Sequence, residues 1–293
     1  MKFLTRLTLC FLLFMVSAAP VFRHVDFKEA MYKNVCKELK GDVLLYFVFI
    51  DTKETSPWTD FDIRSTLDSV AVVSKWLTEK AQTNHIQLTV KTNYYIGKPY
   101  ATVNKNLPNG SVKNTLYEPS VKKGMKVLND WGDDVAKKIG TTFNLSPKDG
   151  IPEVKSLRTK ERLIAYLRDQ YSVESVALVF MVNNYYRVDI SIPVNSFSNK
   201  DVEFAIVSYK YPAEIAHNVL SLFGAAPLFK SVYRQTNSKI EYAAKVFPND
   251  IMQDPYAKNI AKQEIGPLTK YLLGWTNQLP NEYEKLLTDG IGF

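Results

Sequence analysis

The chain has 293 residues, a formal charge of +7, and 46% hydrophobic against 23% charged residues. That length supports one large domain or two small ones, and the composition excludes a disordered, collagen-like or polytopic membrane chain. With three His and two Cys, a His- or Cys-rich metal protein is excluded, and any zinc site must draw on His24, His85 or His217, one cysteine and carboxylates.

Residues 1–20 carry Lys2 and Arg6, then an apolar run over 7–16, then Ser17, Ala18, Ala19 and Pro20. This basic, apolar, small-residue order predicts a secretory signal peptide cleaved after Ala18, since a cut directly before Pro20 is unfavourable. The apolar run is too short to span a bilayer, so no stable membrane insertion is expected. Cys10 leaves with the leader, and Cys36 remains as the one cysteine, read as a buried, inert thiol. Losing Lys2 and Arg6 lowers the charge to +5. No basic block with interleaved aromatics argues for nucleic acid. A secreted, periplasmic or cell-envelope protein of bacterial type, without an internal disulfide, is the expectation. Oligomeric state is not written in the pattern.

Residues 26–40 carry apolar positions at helical spacing. Residues 43–50 form a continuous apolar run, expected for a strand buried on both faces. A helix follows over 63–81, then a half-buried strand over 85–95. Pro, Asn and the Asn109-Gly110 pair predict a surface loop over 97–119. Helices are expected over 120–139 and 156–171, with Asp133 and Asp134 on a solvated face. Ser175–Val182 is a second buried strand. Residues 187–200 read as a polar hairpin insertion, and 202–209 as an alternating strand at the sheet edge. Strands interspersed with helices predict an α+β, α/β-like fold: a mixed twisted sheet with helices in a single domain over 19–293. A boundary near 225 would separate an upper lobe (20–224) from a smaller C-terminal lobe (225–293).

The segment from Pro212 to Gly224 has Pro at a helix start and Gly at its stop. His217, Leu220, Ser221 and Gly224 fall on one helical face. The run from His217 through Leu222-Phe223-Gly224-Ala225 to Pro227 and Phe229 resembles the active-site helix of metzincin-like zinc peptidases of secreted bacterial type, whose pattern is H-E-x-x-H-x-x-G-x-x-H/D. Asn249-Asp250-Ile251-Met252 resembles that family's Met-containing turn, and 264–276 its closing helix. The likeness covers about residues 201–280. It implies a metzincin-like zinc-peptidase fold in which His217 stands at the first ligand position, Asn218 at the general base, Ser221 and Pro227 at the other ligands, and Gly224 and Met252 at structural positions.

A catalytic zinc needs three protein ligands, an open position for water and a base for that water. Asn218 has no basic lone pair, Ser221 is a poor zinc ligand, and Pro227 has no side-chain donor. A register using Glu214 and His217 lacks the first His. The resemblance therefore implies a pseudoenzyme without zinc or other cofactor, whose cleft beside His217, Ser221 and Tyr209 binds a peptide, protein or glycan uncut. Two alternatives stand beside it: an active zinc endopeptidase with an unusual ligand set including His217, and a surface binding or adhesion module using the loops over 97–119 and 187–200. A lone His on a helix is also commonly a packed residue.

Overall fold

The computed structural model describes residues 23–28, 38–96, 103–108, 110, 121–143, 159–183, 190–194, 202–208 and 210–291. The residues read as a leader, Cys36, Tyr209 and most of the two loops proposed for adhesion lie outside the described residues.

A six-stranded sheet runs in the order β3-β2-β5-β7-β6, with the short β4 also beside β2. The strands are β2 (Gly41–Asp51), β3 (Leu88–Tyr95), β4 (Val103–Asn104), β5 (Ser175–Val182), β6 (Ser191–Val194) and β7 (Phe204–Val207). All pairings are parallel except β6 with β7. The two apolar runs read as buried strands are the central β2 and β5, whose side chains from Val43 to Ile50 and from Val176 to Val182 are almost wholly buried. The fold is thus α+β with a mixed sheet, as the alternation of elements predicts.

Helices cover both faces. α1 (Asp60–Thr83) and α4 (Pro212–Leu222) pack together on one, and α2 (Val121–Phe143) packs with α3 (Thr159–Tyr171) on the other. Trp131 of α2 meets Phe180 edge-on at 5.7 Å, seating that layer on β5. α1 starts from a capping box, in which Thr59 and Asp62 each accept from the other's backbone N–H.

Three expectations need correction. Residues 187–200 are not purely an insertion: Ser191–Val194 is strand β6 of the main sheet. β7 is not an edge strand, since it lies between β5 and β6 and is buried on both faces. The polar composition around β6 hid a strand that needs only Ile192 and Val194 for its buried side. Asp133 is not simply solvated, because it pairs at 3.0 Å with Lys160, whose side chain is fully buried. Asp26 closes strand β1 (Arg23–Asp26), and residues 29–37 of the helix expected over 26–40 lie outside the described residues.

After α4 the chain has little regular structure: α5 (Asn237–Val246), a 3-10 turn over Ile260–Lys262, α6 (Pro267–Leu272), a 3-10 segment over Asn281–Leu286 and β8 (Thr288–Ile291). β8 pairs antiparallel with β1 in a separate two-stranded ribbon.

Candidate functional site

α4 starts at Pro212, whose fixed φ suits the first helical position. It ends where Gly224 takes φ 98°, a left-handed conformation open to glycine, and Ala225 N–H returns to Leu220 O at 3.0 Å. The helix is almost wholly buried, lying between the sheet and the C-terminal segments.

His217 is 5% exposed. Its Nδ1 lies 3.0 Å from Ile251 O, so it carries the proton and donates to that carbonyl. The Asn-Asp-Ile-Met turn thus sits directly against the first residue of the expected ligand set. Phe229 stacks edge-on against the imidazole at 5.7 Å. Burial pulls the His217 pKa down to about 4, against the raising effects of the Ile251 bond and of Asp254. The ring is neutral at pH 7, with its lone pair on Nε2.

The neighbouring positions are turned inward. Asn218 is fully buried, and its Nδ2 donates to Ser191 Oγ at 2.7 Å and to Glu214 O at 2.9 Å. The Ser191 hydroxyl in turn reaches Glu214 Oε2 at 3.4 Å. Among the described residues Asn218 Oδ1 has no hydrogen-bond partner, an arrangement that costs about 1–3 kcal/mol. Flipping the amide would set its oxygen against the Glu214 carbonyl, so the observed orientation is the better one. Ser221 Oγ donates to His217 O at 3.0 Å, one turn back along its own helix. Pro227 is buried, and its carbonyl accepts from Arg234 Nε.

These residues do not fit a zinc ion. One imidazole nitrogen is available, the amide and hydroxyl serve internal bonds, and a buried guanidinium holds the carbonyl of residue 227. Among the described residues no group of three His, Cys, Asp or Glu side chains could hold a metal.

Below the helix, Met252 is fully buried. The turn carrying it is fixed by Asp250, which accepts from Met252 N at 2.8 Å, Gly266 N at 2.9 Å and Thr269 Oγ1 at 2.9 Å. Burial pushes its pKa up to about 6 against the pull of those donors. Arg234, fully buried, reaches Pro227 O, Leu286 O at 2.8 Å and Asp289 Oδ2 at 3.3 Å, with Phe27 beneath its guanidinium at 5.0 Å. The bonding role of Arg234 has no local signature, since Leu286 and Asp289 come from the chain's last described segment.

The sheet edge next to the site is closed. Pro193 O accepts from Tyr233 Oη at 2.6 Å, so Pro193 faces away from β7. That outward position lacks an N–H, and the phenol covers its carbonyl. Extended-chain pairing, expected of an edge strand here, finds no free run of donors and acceptors.

A second place draws attention on topology alone. β2 sends the chain to β3 on one side and β5 lies on the other, so the β2/β5 boundary is a switch point, where parallel sheets often bind ligands. Here the chain fills it. Ser56 N donates to Asn183 O, Trp58 Nε1 to Ile50 O and Asn183 Nδ2 to Pro57 O. Asp62 takes Lys210 Nζ at 2.5 Å, locking α1 to the start of α4. Comparisons with protein-family models, with curated proteins and with solved structures each found no match.

Proposed function

We propose that the chain is an exported, catalytically inactive homologue of metzincin-like zinc peptidases. On this reading it keeps the active-site helix and Met-containing turn as packing elements. The observation that carries the reading is the inward bonding of Asn218 and Ser221, the residues at the expected base and second ligand. The seating of His217 on Ile251 O supports the register, because it brings the two resembling segments into contact. The burial of His217 and Pro227 favours a site filled by its own side chains over an open peptide cleft. Any peptide, protein or glycan partner is then held at another surface.

The alternative of an active zinc endopeptidase has one favouring observation. With the proton fixed on Nδ1, His217 Nε2 has the lone pair a metal ligand needs. Among the described residues it lacks a base and two further donors.

The test is metal content and proteolysis of the purified chain. The expected result is no stoichiometric zinc and no cleavage of an unfolded protein. One zinc per chain with chelator-sensitive cleavage, abolished in His217→Ala, overturns the proposal. The triple variant Asn218→Glu, Ser221→His, Pro227→Asp is expected to gain zinc affinity. A folded triple variant that binds none overturns the register.

A further inference from the structure

We infer that the surface over the β2/β5 switch point, ringed by Trp58, Phe61, Tyr94, Tyr211 and Tyr256, binds a neutral glycan.

Among the described residues five large apolar side chains are exposed, and four of them are aromatic: Phe61, Tyr94, Tyr211 and Tyr256. These four share one end of the molecule. Trp58 and Tyr94 both meet Phe49 edge-on, at 4.8 and 6.1 Å, near the C-terminal ends of β2 and β3. Phe61 lies in the first turn of α1, beside Asp62. Tyr211 precedes α4, next to Lys210, and Tyr256 meets its ring edge-on at 6.4 Å. Lys210 Nζ binds Asp62 Oδ1 and also lies 5.6 Å from the centre of the Trp58 ring. The rings therefore gather around one ion pair, on the segments that fill the gap between β2 and β5.

A second observation points to a ligand at the same place. Asn183 follows β5 directly and is fully buried. Its Nδ2 donates to Pro57 O at 2.8 Å and to Asp62 Oδ2 at 3.2 Å. Among the described residues its Oδ1 has no hydrogen-bond partner. Flipping the amide would set its oxygen against two acceptors, so the unmet group is an acceptor. Native structures rarely leave such an atom unmet, and a hydroxyl is the donor that suits it.

Charge selects among ligands. The Lys210 ammonium already holds the carboxylate and the ring face that a cationic ligand would take. Asp60 and Asp62 in the first turn of α1, with Asp51 bonded to Trp58 N, repel an anion. The other exposed large apolar side chain, Val72, is aliphatic and lies about three turns further along α1, so this end lacks the aliphatic anchors that suit an acyl chain. An uncharged ligand with hydroxyl donors and apolar C–H faces fits what is left. A sugar offers both, its C–H face lying on the electron-rich face of an aromatic ring.

The inference rests on the reading above only in that the bound glycan stays uncut. The experiment is calorimetric titration of the full chain with neutral hexasaccharides of glucose, mannose, xylose and N-acetylglucosamine. Binding of at least one of them, with Kd between about 1 µM and about 1 mM, is the expected result. Phe61 and Tyr211 are 75% and 49% exposed, so Phe61→Ala and Tyr211→Ala should fold normally, and each is expected to weaken binding about tenfold or more. Val72→Ala is expected to leave it unchanged. No binding of any of the four sugars at about 1 mM overturns the inference. So does binding that both aromatic variants leave unchanged while folded by circular dichroism, tighter binding of a polyuronate or of chitosan, or Tyr211-dependent partition onto phosphatidylcholine vesicles. Zinc content and proteolysis decide the peptidase reading separately: sugar binding by a chain that proves to be a zinc endopeptidase upholds this site and overturns that reading.

Discussion

Asp250 and Asp289 are both buried carboxylates in the C-terminal part, and each gathers donors from several segments. Asp289 accepts from Thr236 N and Oγ1, Gln235 N and the Arg234 guanidinium. Among the described residues the partners of Asp250 are all neutral: two backbone N–H groups and a threonine hydroxyl. The difference shows in charge balance. Neutral donors leave Asp250 with a pKa raised to about 6 by burial, whereas Asp289 stands opposite a cation that is itself pulled down only to about 10. Hydrogen bonds from neutral donors offset only part of the desolvation of Asp250, whereas a buried countercharge opposes that desolvation directly.

The largest effect should come from breaking the charged pair. Arg234→Met leaves Asp289 buried and unpaired and should cost about 3–5 kcal/mol in urea denaturation. The double variant Arg234→Met, Asp289→Asn should recover part of that loss. Equal loss in single and double variants would show that the hydrogen bonds, not the charges, matter.

The pH dependence sharpens the contrast. Asp250 has a folded pKa above its usual 3.8, so its contribution is fully present below 3.8 and lost as pH rises through about 6. His217 has a folded pKa below its usual 6.5, so its contribution is present above 6.5 and lost as pH falls through about 4. Over pH 4–6 the two oppose each other and nearly cancel. Asp250→Asn should therefore unmask a loss of about 3 kcal/mol between pH 7 and pH 4, and His217→Gln a gain of similar size. Identical pH slopes in both variants and the parent chain would refute the pairing.

A steric change should cost less. A Cβ on Gly266 would lie 2.4 Å from Asp250 Oδ2, so Gly266→Ala must push the carboxylate off its donors, at about 1–3 kcal/mol by thermal melting. Ser221→Ala should be smallest, within about 0.5 kcal/mol, because its hydroxyl only bonds back to its own helix. A loss above about 2 kcal/mol would mean that Ser221 has a further partner.

The sheet was legible in sequence because its signal is local. The apolar runs of β2 and β5 mark burial on both faces, and α1 and α4 carry their periodicity and end signals within their own residues. β6 was missed because four residues, one of them proline, carry too little pattern. At the candidate site, the motif positions of His217, Asn218, Ser221 and Pro227 were readable, but not what they bond. Ser191, Ile251 and Arg234 reach them from segments between 7 and 34 positions away, and no spacing rule links them. The C-terminal part shows the same limit, since Arg234 finds Asp289 55 positions later.

The ribbon of β1 and β8 joins the earliest described strand to the last one. Such pairing closes the largest loop in the chain and is entropically the most demanding contact to form. Asp289 lies in that ribbon, so Arg234 cannot find its partner until β8 has been synthesised. A ribosome-bound chain would hold the sheet and α4 with a guanidinium still in water. Folding of the C-terminal part is then coupled to the arrival of β8, and a nick before Thr288 would leave it without its anchor.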